Sequence, residues 1–127
     1  MNHHASAAML LGLLFSASAV TAQDLANGEA VFKICRACHE IGPESKNKLG
    51  PMLTGIIGRK AGTIEGFKYS PANLQAAEKG LIWTEDNLFK YLEAPRTFIP
   101  GTTMVFAGIK DEADRKDLIA FLKSSSK

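Results

Sequence analysis

The 127-residue chain has little of what announces most chemistries. It carries only two cysteines, Cys35 and Cys38, which excludes a multiply bridged disulfide scaffold. Its histidines are His3, His4 and His39, too few to complete a zinc site that needs about four ligands. Lys and Arg number 15 against 13 Asp and Glu, a net charge of +2 that lacks the basic surplus of a nucleic-acid binder. No internal repeat, low-complexity run or useful period-two alternation occurs, so sheet is not expected. Long hydrophobic runs are missing too. The apolar stretch Met9 to Phe15 is well short of the roughly 20 residues that span a bilayer, and Ser16 and Ser18 follow it.

Residues 1–22 instead read as a cleavable secretory leader, although no Lys or Arg precedes the apolar stretch. Val20 and Ala22 satisfy the small-residue cleavage rule and place the cut before Gln23. Residues 23–127 then form one domain, which holds every Asp, Glu, Lys and Arg of the chain. A domain of this size buries a modest core, and a large apolar cofactor would supply much of it.

What is present is concentrated in Cys35-Arg36-Ala37-Cys38-His39. This is the C-x-x-C-H attachment pattern of c-type haem. On a helical turn, positions i and i+3 share a face, so both sulfurs reach one edge of a porphyrin. The next residue projects a ring nitrogen over the metal as an axial ligand. The rival readings are a disulfide, a zinc half-site and a thioredoxin-like pair. Zinc lacks ligands, because His3 and His4 lie in the leader, and a thioredoxin-like pair calls for strands that the sequence does not offer.

Helical spacing of Leu25, Ala30, Val31 and Ile34 predicts a helix over Asp24 to Arg36, leading into the motif. Glu40 to Gly66 is rich in Gly, Pro and Lys and reads as loop able to approach a flat ligand closely. Ser70-Pro71 starts a short helix to about Ala77. Thr84 caps another, with Leu88, Tyr91 and Leu92 on one face, and Pro95 ends it near Ala94. Arg96 to Gly108 reads as a second loop. Asp111 or Glu112 opens a last helix, whose buried face is Leu118, Ile119, Phe121 and Leu122 and which carries Lys123 near its end. The expected architecture is small, all-α and loop-rich.

A haem iron held by one His takes a second ligand or keeps an open site. After leader removal only Met52 and Met104 offer a thioether. Met52 follows Pro51 close behind His39, in a loop expected to stay on the His39 side. Met104 lies beyond two predicted helices, in a loop placed to close the opposite face. Ordinary packing remains the alternative for Met104.

Further segments now join the motif: Gly28 to Phe32, Gly50-Pro51, Gly58 to Gly62, Gly66-Phe67, Tyr69, Trp83, Tyr91-Leu92 and Ile99 to Met104. Together they resemble class I cytochrome c, in the bacterial periplasmic cytochrome c2 form that is similar to the mitochondrial protein. The resemblance covers essentially all of residues 24–123, with residues 74–80 slightly longer than the mitochondrial pattern and expected as a surface loop. It implies a class I cytochrome c fold of four to five helices and Gly/Pro-rich loops around one covalently bound haem c. Cys35 and Cys38 match the thioether anchors, and His39 and Met104 the axial iron ligands. Pro51 matches the carbonyl that accepts from His39, and Tyr91 the donor to the methionine sulfur. Tyr69 and Trp83 match donors to the haem propionates, with Thr102 close by and Arg59 as a neighbouring positive charge. Asn73 matches a member of a buried polar network near the haem. Gly28 and Phe32 are expected to meet the final helix near Leu118 and Phe121.

The same resemblance implies a monomeric periplasmic electron carrier, not an enzyme and not inserted in the membrane after cleavage. Its implied partners are membrane redox complexes: a cytochrome bc1-type quinol oxidoreductase as donor, and a terminal oxidase or photosynthetic reaction centre as acceptor. Lys33, Lys46, Lys48, Arg96 and Lys110 are placed to border the haem edge and steer acidic partners. Thr103, Asp111 and Ile34 stand where mitochondrial relatives tend to carry lysine, so the basic patch is expected to be weaker. A five-coordinate haem protein of ligand-binding or peroxidase type, and a thiol–disulfide oxidoreductase, stay open as alternatives.

Overall fold

The computed structural model describes Gln23 to Ser126, together with Gly12; the leader expected over residues 1–22 otherwise lies outside the described residues. Among the described residues five helices follow one another: α1 (Leu25–Phe32), α2 (Pro71–Glu78), α3 (Glu85–Glu93), α4 (Pro95–Phe98) and α5 (Glu112–Ser124). Among the described residues the only strand-like pairing is a single antiparallel bridge between Lys60 and Ile82.

Local chemistry sets the helix starts. Asp24, Ser70, Thr84 and Asp111 each accept from the backbone N–H three residues on, which satisfies one orphan donor of the first turn. Pro71 and Pro95 occupy first-turn positions, where the missing N–H is no loss. Three expectations are corrected here. α1 stops at Phe32, and the chain runs on through turns to the cysteines. Pro95 ends α3 but also opens the short α4, which occupies the start of what the sequence suggested as loop. The helix expected from Ser70-Pro71 to about Ala77 is α2, and it takes in most of residues 74–80, where the resemblance suggests a surface loop.

α1 crosses α5 at Gly28. A Cβ there would overlap the Asp117 carbonyl oxygen and stand 2.8 Å from Phe121 Cβ, so hydrogen alone allows the approach. Phe32, fully buried, packs its ring against Phe121 with centroids 5.3 Å apart. Asn27 clamps the crossing, donating to Asp114 and Asp117 at 2.9 Å each. The core joins Phe32, Leu118, Ile119 and Leu122 to Leu88, Tyr91, Leu92, Trp83 and Ile99. α2 contributes no buried residue.

The long segment between α4 and α5 is tied down at its far end. Ile109 N–H donates to the Leu92 carbonyl (2.8 Å), and the buried Arg115 guanidinium donates to the Ile109 and Lys110 carbonyls at 2.7 and 3.2 Å. The same guanidinium lies 4.3 Å over the Phe89 ring and 3.8 Å from Glu93.

Candidate haem site

The cysteine pair sits on one turn: Cys38 N–H and His39 N–H both donate to the Cys35 carbonyl, at 3.1 and 2.9 Å. Both thiols are free and half-buried. Burial, reinforced by Cys38 and opposed by Arg36, pushes the Cys35 thiol up to about 11, so it is protonated at neutral pH.

His39 is buried, and its Nδ1 lies 2.7 Å from the Pro51 carbonyl oxygen. A carbonyl only accepts, so the proton is on Nδ1 and the Nε2 lone pair is free. Burial pulls the imidazole pKa down, the Pro51 bond pushes it up, and Lys48 pulls it down further. The net effect keeps the ring neutral, the form that binds a metal.

Met104 lies in the segment after α4. The Tyr91 hydroxyl donates to its sulfur at 3.0 Å, and Met104 N–H donates to Thr102 Oγ1 at 3.3 Å. Burial raises the Tyr91 pKa, with hydrogen bonding to Thr102 opposing, so the phenol keeps its donor proton well into alkaline pH. Trp83 stacks on Tyr91 with centroids 4.8 Å apart, and Phe98 completes the aromatic cluster at 5.9 Å from Tyr91. Met52, the other thioether, accepts from Ser45 Oγ at 3.7 Å in the loop next to Pro51.

Arg59, expected as a neighbouring positive charge, spends its guanidinium on backbone carbonyls. Its guanidinium donates to the Met52 and Thr54 carbonyls at 2.9 and 2.6 Å, pinning the loop that follows Pro51. Burial lowers its pKa and Tyr69 opposes the shift. The Tyr69 hydroxyl accepts from Ile64 N–H at 3.0 Å and keeps its own proton to give. Asn73 Oδ1 is buried with no donor, an acceptor left for a partner outside the chain's own hydrogen bonds.

Sequence reading missed Arg115 and the reach of Arg59. Both grip carbonyls that carry no residue-type signal, so nothing in the pattern marked them.

The donor set fits an iron porphyrin. It offers two thiols on one turn, a neutral imidazole with a free nitrogen, and a half-buried thioether with its own donor. The comparisons with known proteins agree. The family model described as cytochrome c matches residues 25–126. Cytochrome c2 of Blastochloris viridis is 51% identical over 118 residues, covering 91% of each chain. Cytochrome c-550 of Nitrobacter winogradskyi is 45% identical, covering 82% of this chain and 93% of its own. The solved structure of cytochrome c2 from Rhodospirillum centenum superposes with a TM-score of 0.78 at 47% identity, over 82% of this chain and 99% of that one. The chain therefore belongs to the cytochrome c family, as a class I member of the cytochrome c2 type, and its cofactor is one covalently bound haem c.

Proposed function

We propose that this chain is a one-electron carrier working outside the cytoplasm between membrane redox complexes, with His39 and Met104 as axial ligands of a haem held by Cys35 and Cys38. The observation that carries the reading is the Tyr91 hydroxyl on the Met104 sulfur at 3.0 Å, a half-buried thioether oriented by its own donor. The haem supplies the exchange of one electron between ferric and ferrous iron.

The chain's residues do the rest. Pro51 fixes the His39 tautomer and makes Nε2 the stronger donor. Tyr91 draws electron density from the Met104 sulfur, which favours ferrous iron. Tyr69, Trp83 and Thr102 are assigned to the propionate side, with Asn73 in the polar network near the haem and Arg59 holding the loop that follows Pro51. With both residues as ligands the iron would have no open position for substrate, which supports a carrier over an enzyme. Lys33, Lys46, Lys48, Arg96 and Lys110 are all exposed, and Lys48 and Lys110 already donate to the Arg36 and Glu93 carbonyls. They are the proposed steering charges toward a cytochrome bc1-type donor and an oxidase or reaction-centre acceptor. Among the described residues no helix is long and apolar enough to cross a membrane. The leader over residues 1–22 is the proposed export signal.

The test is a pyridine haemochrome assay with a redox titration on protein made with cytochrome maturation machinery. One covalent haem and a one-electron wave are expected; absence of covalent haem sinks the reading. Met104→Ala should abolish the sulfur-to-iron absorption at the red end of the ferric spectrum, and an unchanged spectrum removes Met104 as ligand.

A further inference from the structure

The backbone of Gly50 is buried and fixed on both sides. Its N–H donates to the Cys38 carbonyl at 2.8 Å, and its carbonyl accepts from Lys48 N–H at 2.9 Å. A Cβ built there would overlap His39 Cε1 and stand 2.6 Å from Nδ1 and 2.7 Å from Nε2, inside the 3.4 Å at which ordinary contact begins. The ring has no easy way aside, because Nδ1 is held by the Pro51 carbonyl, one residue further along the same rigid segment. Backbone conformation is not the reason for glycine: Gly50 is absent from the glycines with positive φ. The demand is for space against the imidazole.

We infer that Gly50 is a positioning residue for His39. Resting on the proposed axial role of His39, the inference makes residue 50 the wall that fixes the rotation of the imidazole, while Pro51 fixes its tautomer. The two constraints come from adjacent residues tethered to Cys38, so attachment and ligand orientation share one rigid unit. An axial imidazole overlaps one of two metal π orbitals better than the other, and its rotation decides which. Moving the ring therefore changes the magnetic anisotropy of the ferric protein even when ligation persists.

The experiment compares Gly50→Ala with Gly55→Ala in the holoprotein. Gly55 has φ +73° with open space around it, so its substitution costs backbone strain without touching His39. Both variants should lose stability. Gly50→Ala alone should shift the ferric electron paramagnetic resonance g-values and redistribute the haem-methyl proton shifts, with covalent haem and the sulfur-to-iron absorption retained. A folded Gly50→Ala holoprotein with wild-type g-values and methyl shifts overturns the inference and leaves the carrier reading standing. Wild-type protein without covalent haem overturns the carrier reading itself. Should Gly50→Ala not accumulate, the wild-type methyl shifts decide: one imidazole orientation across the thermal range supports the wall, and two exchanging orientations refute it.

Discussion

At the scale of single residues, each proposed ligand atom belongs to a side chain with one defined partner. The Tyr91–Met104 contact is the clearest test. Tyr91→Phe keeps the packing against Trp83 and Phe98 but removes the only donor shown on the sulfur. The lost bond is worth about 1 kcal/mol, or about fivefold in the equilibrium for displacing the thioether with added imidazole. The sulfur also becomes a stronger electron donor, so the reduction potential should fall. Imidazole titration at the sulfur-to-iron band, with a potentiometric titration beside it, checks both signs. The residue types proposed for this site are readable where the chemistry is local, as in the Cys35-to-His39 motif. They did not announce the grip of Arg59 on the Met52 and Thr54 carbonyls, because an arginine in a loop carries no mark of its acceptor.

At the scale of elements, the α1–α5 crossing shows two effects in competition at Gly28. In an exposed helix, Gly→Ala gains about 1 kcal/mol of helix propensity. Here the added methyl meets the Asp117 carbonyl and Phe121 Cβ, atoms of a packed helix rather than the tip of a mobile side chain. Overpacking of that kind costs about 1–3 kcal/mol, so Gly28→Ala should lower the urea midpoint at unchanged slope. Arg115→Met should cost about 3 kcal/mol, since it strips the donor from the Ile109 and Lys110 carbonyls. Faster hydrogen exchange at the Ile109 amide is the readout, and Arg115→Lys should recover little because one ammonium cannot make the fork. α5 also carries an acid dependence. The Lys116 partner, at 2.7 Å, holds the exposed Glu112 carboxyl below its ordinary 4.5. A depressed folded pKa gives stability that is present above pH 4.5 and lost as pH falls through the folded value. Glu112→Gln should flatten that limb of an acid unfolding curve. Helix starts were readable because Ser70, Thr84 and Asp111 act on bonds three residues away. α4 was not, because Pro95 can both stop one helix and open the next.

At the scale of the whole molecule, the protein part of the core is thin. Its buried cluster joins the α1–α5 crossing to Trp83, Leu88, Tyr91, Leu92 and Ile99, while α2 adds only the partly buried Ala72, Ala76 and Ala77. Trp83, Tyr91 and Phe98 stack mainly on one another, and residues 40–66 form turns held by hydrogen bonds such as those of Thr54 and Arg59. A chain of this size buries only about 60–70% of the surface its unfolded form exposes, and conformational entropy offsets most of the gain. The cofactor must close that deficit, since anything that binds the folded state alone adds its binding free energy to stability. The replacement Cys35→Ser with Cys38→Ser, made without haem, should therefore lose most far-UV helix signal and show no cooperative melt. Helix α5 is the element best able to persist, with Asp111 capping its start and Lys123 in its last turn. A sharp cooperative melt at full helix content would show instead that the α1–α5 core holds the fold unaided. The attachment motif would then serve electron transfer alone, rather than folding and function together.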